Sequence, residues 1–150
     1  MDKKDIPFLS ATQLSRLIQT KEVSPVEATE AYLDRIEQVD GKLNSYITVC
    51  RDEALNSARE AEQAIAAGRY LSPLHGVPVA VKDQCYTKGI RTTAGSTILW
   101  DFVPGYDATV VTGLKNAGAI MLGKLNLSEF ALGDSFVHPA GTPKNPWDLT

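Results

Sequence analysis

PLHGVPVAVKD, residues 73–83, is the stretch that decides the fold of this chain. Its β-branched apolar run follows Gly76 and predicts a short buried strand. The valines recur with a period of two and share one face of that strand, while Ala80 and Lys82 fall on the other. The run stops at Lys82 and Asp83, so two charged side chains mark the carboxyl end of the predicted strand.

Lys82 is a candidate functional residue, because binding and catalytic residues of parallel sheets usually lie beyond the carboxyl ends of the strands. Partial desolvation at such a position lowers the pKa of an ammonium group until the neutral amine becomes a usable base. The alternative is that Lys82 only marks the point where the strand meets water. Structural lysines outnumber catalytic ones, so spacing alone favours this alternative.

The composition is that of an ordinary globular protein, since 43% of the 150 residues are hydrophobic and 22% are charged. We therefore predict one ordered domain over residues 1–150 with a substantial core. The net charge of −3 and the lack of a basic cluster argue against direct nucleic-acid binding by this segment. No apolar run is long enough to span a bilayer and no signal peptide is evident, so we predict a soluble, cytoplasmic protein with no membrane partner.

Metal and disulfide chemistry are not expected from this sequence. Cys50 and Cys85 stand alone without the spacing of metal ligands, and two cysteines cannot build a secreted disulfide framework. Only His75 and His138 could add to them, which leaves little for a zinc site, and we predict no cofactor. The G-x-S-x-G, P-loop, G-x-G-x-x-G and H-E-x-x-H motifs are also missing.

The first part of the chain, residues 10–67, predicts a mainly helical lead. Capping boxes begin two helices at Ser10 and Ser24, and Gly41 is placed to end the second of them. The other elements predicted here are a strand over 46–49 and a helix over 51–67.

The second part, residues 73–150, predicts a sheet-forming core. A polar loop over 87–96 follows the central strand, and Asp107 can cap a helix that ends at Gly118. A buried strand over 119–123 comes next, so the order strand, helix, strand indicates a βαβ crossover in an α/β sheet.

The end of this last strand resembles the end of the first, because an apolar run again stops at a lysine, Lys124, and polar groups. Asn126 and Glu129 have the spacing of a capping box and predict a short helix that reaches Gly133. Capping is favoured over a direct catalytic role for these two residues. The residues alone therefore indicate an α/β domain with lysines where strands end.

Six stretches together resemble the amidase signature family, and residues 73–150 match it nearly continuously. The matching stretches, in chain order, are 73–83, 92–96, 106–111, 114–119, 123–131 and 145–148. The resemblance implies the N-terminal part of the amidase signature fold, a mixed β-sheet flanked by helices that is incomplete in this chain. It also implies hydrolysis of a small carboxylic amide by a Ser–cis-Ser–Lys mechanism, through an acyl-enzyme and without a cofactor.

The resemblance assigns Lys82 as the general base of that mechanism. Asp83, Thr93 and Ser96 also match motif positions, and their expected role is to hold the loop around the lysine. A further set of three matches residues that line the acyl pocket in relatives: Ala131, Leu132 and Gly133.

The nucleophilic serine, the bridging serine and the oxyanion hole are expected beyond Thr150, where the family continues into a glycine- and serine-rich stretch. Ser128 and Ser135 lack that context and are not candidates. We therefore predict that the 150 residues alone hydrolyse no amide, and that their incomplete sheet leaves apolar surface that favours aggregation.

Residues 133–144 are more similar to stand-alone bacterial amidases, which can form homodimers, than to the amide-cleaving component of glutamyl-tRNA amidotransferases. That amidotransferase component is the second interpretation, and it implies companion proteins and ammonia released from glutamine. A third interpretation is a non-catalytic α/β ligand-binding or interaction module, in which Lys82 simply contacts an anion.

Overall fold

The computed structural model describes residues 2–133 and 138–149. Four α-helices and three strands account for most of the regular structure in this described part. The helices are α1 (Ala11–Gln19), α2 (Pro25–Leu43), α3 (Arg51–Ala66) and α4 (Thr109–Asn116), and the strands are β1 (Tyr46–Val49), β2 (Pro78–Lys82) and β3 (Ile120–Leu125). Short 3₁₀ helices cover Lys3–Phe8 and Glu129–Ala131.

The three strands form one sheet in the order β1-β3-β2, in which β3 is antiparallel to β1. The carbonyl of Val77 accepts from the Ile120 N–H at 2.9 Å, and the Asp83 N–H donates to the Leu125 carbonyl at 3.0 Å. Both bonds advance in the same direction along the two strands, so β2 and β3 are parallel. The predicted βαβ crossover and the mixed sheet are therefore confirmed.

Gly123 permits the close approach of β3 to β1. It is the register partner of Val49, and a Cβ atom added to it would collide with the Thr48 carbonyl oxygen. Any side chain at this position would therefore force the two strands apart.

The chain divides by contacts into two compact units. The first comprises the residues up to Gln38 together with Cys50–Val79 and Gly113–Leu122, and the second comprises Val39–Val49, Ala80–Thr112 and the residues from Gly123 onward. The first unit contains two apolar clusters, one around Leu14 and Ile18 and the other around Leu33 and Ile120. These clusters give the amphipathic helices a buried face.

The two capping boxes predicted in the helical lead, at Ser10 and Ser24, are present. The Ser10 hydroxyl accepts from the Gln13 N–H at 3.2 Å, and the Gln13 side chain accepts from the Ser10 N–H at 2.9 Å. Ser24 and Glu27 make the same reciprocal pair at 3.1 and 2.9 Å. Each box satisfies two N–H groups that a helix start otherwise leaves unpaired.

The predicted end of α2 at Gly41 is wrong, because the helix continues to Leu43. Asn44 follows in the left-handed conformation, with φ of 55°, which asparagine adopts more readily than most residues. The Asp40 carboxylate then accepts from the Ser45 N–H at 2.7 Å, so the Asp40 side chain and the Asn44 backbone set the helix end.

The helix predicted after Asp107 is present as α4, which begins at Thr109. Asp107 Oδ1 accepts from the Lys88 N–H at 2.7 Å and so ties the preceding loop to the start of this helix. Gly118 follows α4 with φ of 82°, as predicted for a helix terminator. Within the described residues, the helices are too short or too polar to cross a membrane.

Candidate active site

Lys82 is the last residue of β2 and is exposed, whereas Val81 before it and Asp83 after it are buried. No hydrogen bond or ion pair joins its ammonium group to another residue in the described part of the chain. Lys82 is therefore held by its backbone at a strand end, with an amine that is open to a ligand or a catalytic partner.

Asp83 is fully buried, with an exposed fraction of 0%. Its Oδ2 atom accepts from the Thr93 N–H at 2.8 Å and from the Thr93 hydroxyl at 2.6 Å. Its own carbonyl accepts from the Ala94 N–H at 3.3 Å. Asp83 thus connects the end of β2 to the turn over 93–96, which agrees with the loop-holding role expected for Asp83 and Thr93.

The turn over 93–96 has a strained backbone. Ala94 and Gly95 both have positive φ, 50° and 68°, which is unfavourable for alanine. The Thr93 hydroxyl accepts from the Gly95 N–H at 3.0 Å and stabilises this conformation. A Cβ at Gly95 would lie 2.8 Å from the Leu127 carbonyl oxygen, so only glycine permits this close packing.

The Ser96 hydroxyl fixes the other side of the turn, because it donates to the Glu129 carboxylate at 2.7 Å. The Phe130 N–H donates to the Ala94 carbonyl at 2.8 Å in the same region. The turn beside Lys82 is therefore bonded both to β2 and to the segment after β3.

The predicted capping box of Asn126 and Glu129 is wrong. Asn126 Nδ2 donates to the carbonyls of Asn44 and Gly141, both at 2.9 Å, and Glu129 binds Ser96. The expected helix reduces to the 3₁₀ turn Glu129–Ala131, which has no side-chain cap. The Asn126 oxygen that would cap the helix instead accepts from the adjacent Leu127 N–H at 2.8 Å, and the Glu129 carboxylate is taken by the distant Ser96, so the reciprocal cap does not form.

Lys124 is the site residue that sequence reasoning missed. It lies inside β3 rather than at a solvent boundary, and its exposed fraction is 0%. Its ammonium donates to the Cys85 carbonyl at 2.8 Å and to Thr92 Oγ1 at 2.7 Å, and lies 3.3 Å from Asp83 Oδ1. One sequence signal pointed to it, because the apolar run of β3 stops at a lysine as that of β2 does.

The partners of Lys124 define its charge state. The Thr92 hydroxyl donates its proton to the Ile90 carbonyl at 3.0 Å, so Thr92 Oγ1 accepts from Lys124. The Cys85 carbonyl and the Asp83 carboxylate are acceptors as well. An amine facing three acceptors is a protonated ammonium, so Lys124 is unsuited to be a base, and Lys82 remains the candidate.

The predicted acyl-pocket residues follow the segment that packs against the turn. Ala131 is half-buried with φ of 59°, Leu132 is 64% exposed and Gly133 is exposed. The Ser128 hydroxyl donates to the Leu132 carbonyl at 3.1 Å. Their role in substrate binding stays a prediction, and Ser135 lies outside the described residues.

His75 belongs to the first unit and makes no contribution to these hydrogen bonds. Its Nδ1 accepts from the Leu71 N–H at 3.1 Å, and burial lowers the pKa of His75. In the described ranges, no cluster of histidine, cysteine or acidic side chains could hold a metal ion.

This α/β arrangement occurs in structures of amide-cleaving enzymes. The peptide amidase of Stenotrophomonas maltophilia matches 96% of this chain with a TM-score of 0.88 and 34% identity, over 31% of its own length. Fatty acid amide hydrolase matches 98% of this chain with a TM-score of 0.91 and 28% identity, over 26% of its own length. The fold is therefore that of the N-terminal part of an amidase.

The sequence profile of the Amidase family matches residues 27–150, and the chain belongs to that family. Two similar relatives are the A subunits of glutamyl-tRNA(Gln) amidotransferases. The one from Moorella thermoacetica is 51% identical over 97% of this chain, and the one from Geobacter sulfurreducens is 54% identical over 94%. The chain spans about 30% of the length of these curated relatives.

Proposed function

We propose that the protein, at its full natural length, hydrolyses a carboxylic amide with Lys82 as the general base. The observation that carries the proposal is the difference between the two strand lysines. Lys124 is committed to an ion pair, whereas the Lys82 amine is unengaged, within the described residues, at the carboxyl end of β2. Membership of the Amidase family supports the reaction class.

In the proposed mechanism, neutral Lys82 takes a proton from a bridging serine, which takes the proton of a nucleophilic serine. The nucleophilic oxygen attacks the amide carbonyl, the C–N bond breaks, and the nitrogen leaves as ammonia or an amine after protonation. Water then hydrolyses the ester and releases the acid. We assign both serines and the oxyanion donors to residues that follow Thr150, since the relatives are about three times longer than this chain.

The proposed acyl-pocket residues would contact the substrate on the acid side of the amide: Ala131, Leu132 and Gly133. Leu132 and Gly133 are exposed and Ala131 is half-buried among the described residues, which is compatible with contact to a small-molecule amide. By the same assignment, residues 1–150 alone supply a base without a nucleophile, and we propose that they have no amidase turnover.

The test compares wild type with Lys82→Ala and Lys82→Arg at full natural length, on a panel of linear amides. We expect ammonia release by wild type and its loss in both variants, since arginine keeps the charge but cannot act as a base at neutral pH. Retained turnover in folded Lys82→Ala would show that Lys82 is not the base. Binding of carboxylates without hydrolysis of any amide would instead favour the non-catalytic module.

A second candidate function is that of the amide-cleaving component of a tRNA amidotransferase, which takes glutamine as the amide and transfers its ammonia to a tRNA-bound acceptor. The 51% identity to the Moorella thermoacetica relative favours it, whereas the composition of residues 133–144 is our reason to put the stand-alone amidase first. The two candidates differ in partners. An amidotransferase component needs companion proteins, a stand-alone enzyme is sufficient alone or as a homodimer, and we place either one in the cytoplasm.

Glutaminase assays distinguish the two candidates. A stand-alone amidase hydrolyses its substrates without partners, and its size in solution is that of a monomer or homodimer. An amidotransferase component is stimulated by its companion proteins and by charged tRNA, and co-purifies with those proteins. Unchanged glutamine hydrolysis after their addition would exclude the amidotransferase function.

A further inference from the structure

The buried carboxylate of Asp83 belongs to the residue that directly follows the proposed base Lys82. Oδ2 is satisfied by Thr93, but Oδ1 has no hydrogen-bond donor in the described part of the chain. The negative charge on Oδ1 is instead compensated by the Lys124 ammonium, which lies 3.3 Å away. The charge of Asp83 is therefore balanced chiefly by the charge of Lys124.

An unbalanced carboxylate at this point would act on Lys82. A negative charge stabilises a nearby ammonium over the neutral amine. A base must be neutral when it accepts a proton, so an uncompensated Asp83 would oppose the function of Lys82. A buried pair of opposite charges has a much weaker field at a neighbouring group than a single charge.

The other ionisable groups of the surrounding segments are otherwise engaged or are only partly buried. Glu129 accepts from Ser96, and the Arg91 guanidinium donates to the Ile47 carbonyl and stacks on Trp100. The Cys85 thiol is half-buried. The strand β1 contributes an uncharged threonine opposite Lys124. Lys124 is thus the cation in direct contact with Asp83.

We propose that Lys124 is a positioning and charge-compensating residue, which neutralises Asp83 so that Lys82 can lose its proton at neutral pH. The inference rests on the proposed function, because it assigns Lys124 a role through Lys82. Lys124 itself does not touch the substrate or exchange a proton in this scheme.

The experiment records kcat/KM against pH for four forms of the protein at full natural length, with an amide that the wild type hydrolyses. The forms are wild type, Lys124→Met, Asp83→Asn and the double variant Lys124→Met/Asp83→Asn. Methionine approximates the length of lysine without its charge, and asparagine retains the shape of aspartate. Circular dichroism and thermal unfolding check that each form is folded.

We expect the acidic limb of the profile to shift by about one pH unit to higher pH in Lys124→Met, because Asp83 is then uncompensated. Asp83→Asn should shift it in the opposite direction, since the Lys124 charge is then unbalanced. The double variant should return close to the wild-type limb. Opposite shifts that cancel are not produced by a loss of packing.

Equal shifts in the same direction, or no shift in any folded variant, would overturn the proposal. If Lys124→Met does not fold, Asp83→Asn and the neutral double variant still decide, since the proposal requires the first to shift and the second to match wild type. The proposed function is tested separately, by Lys82→Ala. Activity that survives this substitution would contradict the proposed function, whatever the pH profiles of the other variants.

Discussion

The ends of β2 and β3 each carry a lysine after an apolar run, but the two lysines have different surroundings. Lys82 is exposed and its amine is unengaged within the described residues, whereas Lys124 is fully buried against Asp83, Cys85 and Thr92. One amine is thus unengaged by the described residues, and the other is fixed by three partners. Partners and burial, rather than residue type or local sequence, separate a reactive lysine from a structural one.

The largest effect should follow from Lys82→Ala. We expect kcat/KM of the full-length protein to fall by ~10³-fold or more, because the proposed proton acceptor, which would work as a unit with the two serines, is removed. Steady-state ammonia release measures the change. The matched control is Lys88→Ala, an exposed lysine further along the chain, for which we expect wild-type rates.

Removing Lys124 should chiefly affect stability. Lys124→Met leaves the buried Asp83 carboxyl without its cation, and we expect the free energy of unfolding to fall by about 3–5 kcal/mol. Urea unfolding followed by circular dichroism gives the value. Lys88→Met should stay within about 0.5 kcal/mol of wild type. A loss below about 1 kcal/mol for Lys124→Met would mean that the pair is dispensable.

An intermediate effect is expected for Thr93→Val, which removes one of the two donors to Asp83 Oδ2 and keeps the other. The free energy of unfolding should fall by about 1–3 kcal/mol, because the buried Asp83 carboxyl loses a donor and the Gly95 N–H loses its acceptor. Thr97→Val at an exposed position near the same turn is the control. Equal losses for the two variants would show that Asp83 does not depend on the hydroxyl.

The smallest effect is expected for Ser96→Ala. The Glu129 carboxylate that accepts from Ser96 is half-buried, so water can replace the lost hydroxyl, and we expect a cost of about 0.5–1.5 kcal/mol. Glu129→Gln keeps an acceptor oxygen and should cost less. A double-mutant cycle with Glu129→Ala measures the coupling energy between the two side chains. A value near zero would show that this hydrogen bond does not stabilise the turn.

Local patterns were sufficient for most of the secondary structure. The alternating valines predicted β2, and the capping boxes at Ser10 and Ser24 predicted the starts of α1 and α2. The order strand, helix, strand predicted the parallel pairing of β2 with β3. These features depend on neighbours within a few residues or on a general rule of chain connection, so the sequence displays them directly.

Features that depend on distant partners could not be predicted in this way. Gly41 was expected to end α2, but Asp40 and Asn44 set that end further along the chain. Asn126 and Glu129 were expected to cap a helix, but Asn126 Nδ2 and the Glu129 carboxylate bind segments far away in the chain, and Asn126 Oδ1 binds the adjacent Leu127 N–H. A polar side chain selects the partner that folding brings to it, and sequence spacing shows only the local candidates.

The sequence by itself determined the family, the βαβ core and Lys82 as the residue to test first, because these follow from periodicity and from recognisable motifs. Only the tertiary structure decided that Lys124 is buried and paired with Asp83, and hence that it is an ammonium rather than a base. The physical reason is that the charge state of a lysine depends on the groups within a few ångströms of its nitrogen, and folding alone assembles those groups.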